Sequence, residues 1–248
     1  MAYMPPLLEV CVDNLTDLNS AIDGGADRIE LCSSLSVGGL TPTYGLMRHA
    51  SRLQIPVYAM IRPRNGSFVY SEPEVDMMLA EIGHIINNQD LEGVVLGANL
   101  DDGTLDRATL SKLTERAKDC GLRMTLHRAF DLVPDSMVEK EVEFAIQAGF
   151  ERILSSGGER TAIAGENRLR RMVAAAKGRI EIMPGAGITL ENVKDVVKIA
   201  DFEWIHSSCS ESLWSEEGQL RKLGFVDDKV RFTSKAVVSR MKAALKNL

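Results

Sequence analysis

The run Leu7-Leu8-Glu9-Val10-Cys11-Val12-Asp13, echoed at Arg28-Ile29-Glu30-Leu31-Cys32, decides how this chain folds. In the first run Glu9, Cys11 and Asp13 share one face, and Val10 and Val12 the other, the period-two alternation of a β-strand. In the second, Arg28, Glu30 and Cys32 oppose Ile29 and Leu31. Six more short apolar runs follow, at Val57–Arg62, Gly93–Asn99, Arg123–His127, Arg152–Ser156, Arg179–Pro184 and Glu203–His206. Longer stretches with helical spacing separate most of them, among them Pro73–Asn87, Arg107–Cys120 and Ser136–Ala148. Strands alternating with helices imply right-handed βαβ units and a parallel sheet. Eight such units in 248 residues predict an α/β fold, a single (β/α)8 TIM-type barrel over 1–248, with an extra C-terminal helix over Ser234–Leu245. The apolar strand faces should then meet the helices. The polar faces point into the barrel, and Cys11 and Cys32 fall on neighbouring strands.

Composition narrows the function classes. The net charge of −6 argues against a nucleic-acid surface, which is usually basic. The basic cluster Arg168, Arg170, Arg171, Lys177 and Arg179 reads as the solvated face of one helix. No apolar stretch is long enough to cross a bilayer, and Met1–Pro6 lacks the charged start and apolar core of a secretory signal. The four cysteines are far apart and form no CxxC, so a reducing cytoplasm is expected rather than a disulfide scaffold. The segment Cys209–Thr233 has no clear periodicity. Its Leu213, Trp214, Leu223 and Phe225 could fold back over the barrel or pack on a second subunit, so a homodimer or higher homo-oligomer stays open.

In a (β/α)8 barrel chemistry gathers at the strand ends, where this chain carries Cys, His, Arg and Gly. Six motifs there, in order, are Gly25-Ala26-Asp27-Arg28-Ile29-Glu30-Leu31-Cys32, Gly38-Gly39-Leu40-Thr41-Pro42, Ile61-Arg62-Pro63-Arg64, His127-Arg128-Ala129-Phe130-Asp131, Met183-Pro184-Gly185-Ala186-Gly187 and His206-Ser207-Ser208. Together they resemble the CutC family, named for copper homeostasis. The resemblance implies a (β/α)8 barrel, a cytoplasmic protein and a role in Cu(I) binding or handling, and it places the candidate copper ligands at Cys11 and Cys32. Two departures stand out. The family often follows its Arg-Pro-Arg with Gly-Gly-Asp-Phe, whereas this chain has Asn65-Gly66-Ser67-Phe68 and so lacks a carboxylate there. After His206-Ser207-Ser208 it carries Cys209-Ser210-Glu211 where Ala and then Arg are common.

The residues themselves leave two chemistries open. Thiolates are soft and select Cu(I) over hard cations. Neighbouring strands lie about 4.8 Å apart, so Cys11 and Cys32, if in register, could nearly span one ion, with Met60 as a shield. Equally, buried cysteines often only pack. Transfer would proceed by thiol exchange, and no organic cofactor is expected. The alternative is an enzyme acting on a small anionic or phosphorylated substrate at the C-terminal face. There His127, His206 and Glu30 would move protons, Arg62 would clamp the anion or pair with Glu30, and Gly185, Gly187 and Ser207 would cradle a phosphate. Plain turn glycines and hydrogen-bonded structural histidines are the competing explanation. Glu9 reads as one half of an internal ion pair, because charge inside a barrel is costly unless paired. His49 and His84 read as helix residues, and Cys120 and Cys209 as packed or exposed thiols.

Overall fold

The computed structural model describes residues 5–88, 91–216 and 218–247. Met1–Met4, on which part of the expectation about a leader rests, lie outside the described residues. Eight strands form one parallel sheet: β1 (Leu7–Val12), β2 (Arg28–Leu31), β3 (Val57–Met60), β4 (Gly93–Leu96), β5 (Arg123–Leu126), β6 (Arg152–Ser155), β7 (Glu181–Pro184) and β8 (Trp204–Ser207). Their hydrogen-bonded order runs from β7 down to β1 and on to β8, and β7 lies beside β8 to bring the barrel nearly to closure. The crossovers carry α1 (Leu15–Gly24), α2 (Tyr44–Ala50), α3 (Glu72–Asn88), α4 (Arg107–Asp119), α5 (Val138–Ala148), α6 (Glu166–Ala176) and α7 (Val193–Val196). This is the expected TIM-type barrel.

Local chemistry sets the helix boundaries. The Asn14 side chain accepts from the Asp17 N–H at the start of α1, and Gly25, at φ 91°, ends that helix. Asn192 is the cap residue of α7, and its side chain accepts from the Thr189 N–H. The Arg-rich face of α6 is solvated, with Arg171 paired to Asp135 and Glu139 and Arg170 to Glu166.

Strand alternation sorts the core into two compartments. Leu8, Val10, Val12, Ile29 and Leu31 are fully buried in the layer between sheet and helices. The opposite faces of the strands fill the barrel, where Cys32, Tyr58, Met60 and Val95 make a separate cluster. The lower interior is polar. Arg28 lies 3.6 Å from the Trp204 ring centroid, and Arg152 pairs with Glu181 at 3.1 Å. Gly93 makes room for Tyr58, since a Cβ there would come within 2.4 Å of its ring.

Beyond β8 the chain forms a hairpin that periodicity had not revealed. Strands β9 (Ser210–Trp214) and β10 (Lys229–Thr233) pair antiparallel, with the one-turn α8 (Gly218–Lys222) between them. The hairpin stands at the barrel rim and lines its mouth, yet Leu213, Trp214, Leu223 and Phe225 remain exposed. The barrel therefore does not bury these four side chains. The closing helix α9 (Lys235–Lys246) packs on α1 and α7 and buries Val238, Met241 and Leu245 completely. Met241→Ala should cost about 2–5 kcal/mol, as for other fully buried large-to-small changes. Urea unfolding measures this, and a loss under about 1 kcal/mol would mean that α9 is not integral to the core.

Candidate functional site

The site begins with the register of β1. Its neighbours place Glu9 opposite both Arg28 on β2 and His206 on β8, and Cys11 opposite Glu30. All five side chains come from inward-facing positions. Glu9 is fully buried and accepts from Arg28 Nε at 2.5 Å and from His206 Nδ1 at 2.7 Å. Burial alone would raise the Glu9 carboxyl. The Arg28 charge, the His206 hydrogen bond and charge, and Arg152 outweigh it and hold the carboxyl at about 2. Glu9 is thus an ionised internal partner, as its sequence position suggested.

Because Nδ1 of His206 is bonded to Glu9, the imidazole presents Nε2 to the upper barrel, 3.9 Å from Glu30 Oε2. The Cys11 thiol lies on the same side. One donor atom each from Cys11, Glu30 and His206 falls within 4.8 Å of the others. Burial favours neutral His206, but the charges of Cys11 and Glu30 and the hydrogen bonds it donates to Cys11 and Glu9 raise it well above its ordinary value. Burial, reinforced by Glu9, lifts the Glu30 carboxyl to about 7 against the opposing pull of His206. A soft sulfur, an imidazole nitrogen and a carboxylate close to neutrality therefore meet at the floor of a cavity of about 1040 Å³ at the strand C-termini.

Cys32 sits differently from what a shared register would give. The ladder pairs Cys11 with Glu30 and Val12 with Leu31, which leaves Cys32 one layer further along the barrel. Its thiol donates to Glu30 Oε2 at 3.7 Å and is fully buried against Leu35, Tyr58, Met60 and Val95. Burial first, then the Glu30 charge, keeps that thiol protonated well above the usual range. Cys11, by contrast, lines the cavity.

Arg62 does not pair with Glu30, which corrects that expectation. Its guanidinium donates to the carbonyls of Val37, Gly39 and Gly66 at 3.0, 3.1 and 3.0 Å, tying together the loops after β2 and β3. His127 follows β5, and its Nδ1 accepts from the Ala129 N–H at 3.0 Å. Burial and the nearby Arg62 charge lower its pKa to about 3, so it is neutral and carries its proton on Nε2. Near pH 7 it therefore offers Nε2–H as a donor.

Gly185, Gly187 and Ser207 gather at the ends of β7 and β8. The Gly185 N–H donates to Ser155 O at 3.0 Å, and the Ser207 hydroxyl donates to Ile188 O at 2.8 Å while accepting from the Cys209 N–H. Gly187 has φ 66° and abuts Thr161. Beside them Asp131 accepts from Ser155 Oγ, Ser156 N and Gly158 N at 2.5, 3.1 and 3.2 Å, placing an internal carboxylate on the turn after β6. The sequence reading missed this anchoring role. Its signal was the Asp that closes the His127–Asp131 motif.

Among the described residues no helix is long and apolar enough to cross a membrane. In solved structures the fold is shared with deoxyribose phosphate aldolase from Aeropyrum pernix, at TM-score 0.60 and 14% identity over 82% of this chain and 85% of that one, a likeness of fold alone. A closer likeness is to CutC from Streptococcus agalactiae, described as having a proposed role in copper homeostasis. It matches at TM-score 0.77 and 33% identity, covering 83% of this chain and 99% of that one. The family protein CutC of Rhizobium meliloti is 46% identical over 238 residues, 96% of this chain and 95% of its own length. That of Vibrio parahaemolyticus is 44% identical over 96% of this chain and 98% of its own length. Residues 6–211 match the family model itself, and with the barrel and its strand-end motifs this establishes that the chain belongs to the CutC family.

Proposed function

We propose that the protein binds Cu(I) as cargo at the Cys11–Glu30–His206 cluster and hands it on in a reducing compartment, the cytoplasm. The observation that carries this reading is the convergence of those three donor atoms within 4.8 Å on a buried floor open to a cavity. Thiolate and imidazole are the ligands that suit Cu(I), which is content with two of them. The Glu9 carboxylate behind His206 gives the usual support of a metal-binding imidazole, since it fixes the ring and the tautomer. Coordination displaces one proton from the Cys11 thiol and one from His206 Nε2; Glu30, beside both, takes one and the other leaves through the open cavity. Cys32, hydrogen-bonded to the same Glu30 Oε2 that faces His206, supplies a second sulfur one layer away for thiol exchange. The described cysteines are all free, and the Streptococcus relative's description points to the same metal.

Competition against a chromophoric Cu(I) chelator tests the reading on the reduced chain. One Cu(I) per chain is expected, with Cys32→Ser weakening it less than Cys11→Ser. No retained Cu(I), or Zn(II) held more tightly than Cu(I), would overturn the assignment.

A second reading has one specific observation in its favour. Cys11, His206 and Glu9 stand in the order nucleophile, base and orienting carboxylate. Chemistry on a small anionic substrate would then use Glu30 and His206 as the proton carriers, with His127 as a neutral donor.

A further inference from the structure

Arg62 is 6% exposed, and its side chain forms no ion pair among the described residues. Its three acceptors are neutral carbonyls, and among the described residues no carboxylate oxygen lies within 4.0 Å of it. Buried guanidinium groups are ordinarily paired, because an isolated buried charge is expensive. Its Nε–H is also buried with no acceptor among the described residues, and the same holds for Nε2 of His127, which is 3% exposed. A buried N–H left without a partner costs on the order of a full hydrogen bond.

The two orphaned donors belong to one place. Phe68 packs against both side chains, its ring centroid 4.9 Å from the Arg62 guanidinium carbon and 4.8 Å from the His127 ring centroid. Both residues line the cavity that holds Cys11 on its floor. Asp13, another lining residue, is committed elsewhere, accepting from the Leu35 N–H and from the Asn14 amide. His127 cannot answer the need for negative charge, since its free nitrogen carries a proton. What the site lacks is an anion with an oxygen for each donor.

We propose that the barrel mouth binds a small organic carboxylate, its oxygens seated on Arg62 Nε and His127 Nε2 and its carbon chain directed into the cavity. Two single N–H donors and one positive charge match a carboxylate monoanion. A phosphate dianion would leave charge and lone pairs unanswered. The site is separate from the copper cluster and does not depend on copper being the cargo.

The test uses the reduced, metal-free full chain labelled with 15N. Long-range 1H–15N spectra are followed while pyruvate, and separately inorganic phosphate, is added. Pyruvate should give saturable shifts at His127 Nε2 and Arg62 Nε, and phosphate should bind more weakly. His127→Phe keeps the ring volume and removes the donor, so it should weaken pyruvate binding at least about tenfold. Arg62 is left intact because it also holds two loops. Absence of a saturable shift at both nitrogens, phosphate binding tighter than pyruvate, or unchanged affinity in His127→Phe would each overturn the proposal. Should His127→Phe not fold, the wild-type spectra decide alone. Because no metal is present, failure here leaves the copper reading intact, and failure of Cu(I) binding leaves this one intact.

Discussion

Glu9→Gln is expected to lose about 3–5 kcal/mol of folding stability, the range found when one partner of a buried ion pair is removed. The amide fills the same space. It cannot neutralise Arg28, nor can it hold His206 and Arg152 in a fully buried setting. The same residue sets the acid response. Its carboxyl sits at about 2 in the folded chain against 4.5 unfolded, a depressed value. Its stabilisation is therefore complete above about pH 4.5 and drains away as the pH falls toward 2. Urea unfolding between pH 7 and pH 3 should show wild-type stability falling with acid, and a flatter profile for the variant. A loss under about 1 kcal/mol at pH 7 would mean that the internal charge network contributes little.

Cys11→Ser is expected to reduce Cu(I) affinity by more than about 100-fold. Removing a group that merely supports a metal ligand costs about 10–100-fold, and the loss of the sulfur in the three-donor cluster should exceed that. A hydroxyl is hard, and it is not a thiolate substitute for a soft ion. Stability should change little, because the side chain is small and borders open space. Equal retention of Cu(I) by Cys11→Ser and wild type in chelator competition would exclude Cys11 as a ligand.

Much of the barrel was readable because strand alternation is a local property. Leu8, Val10 and Ile29 against Glu9, Cys11 and Glu30 already separate helix-facing from interior positions. The hairpin β9–β10 escaped because its strands are exposed along most of their length, so Ser210–Trp214 and Lys229–Thr233 carry no alternating burial pattern. The site was legible in its parts and not in its pairing. Whether Cys11 faces Glu30 or Cys32 depends on the offset between strands, which residue spacing within each strand does not encode. His206 meets Glu9 only because β8 returns to β1, a contact across almost the whole chain. Arg62 looked like a partner for Glu30 because both face inward, yet the carbonyls of two glycine-rich loops surround it. Loop conformation of that kind has no periodic signature.

Copper K-edge X-ray absorption on the chain loaded with one equivalent of Cu(I), set beside His206→Gln, tests the metal assignment most directly. Expected is one sulfur neighbour together with an imidazole nitrogen, the nitrogen being lost in the variant. A ligand shell without sulfur, or one whose nitrogen persists when His206 is gone, would contradict it.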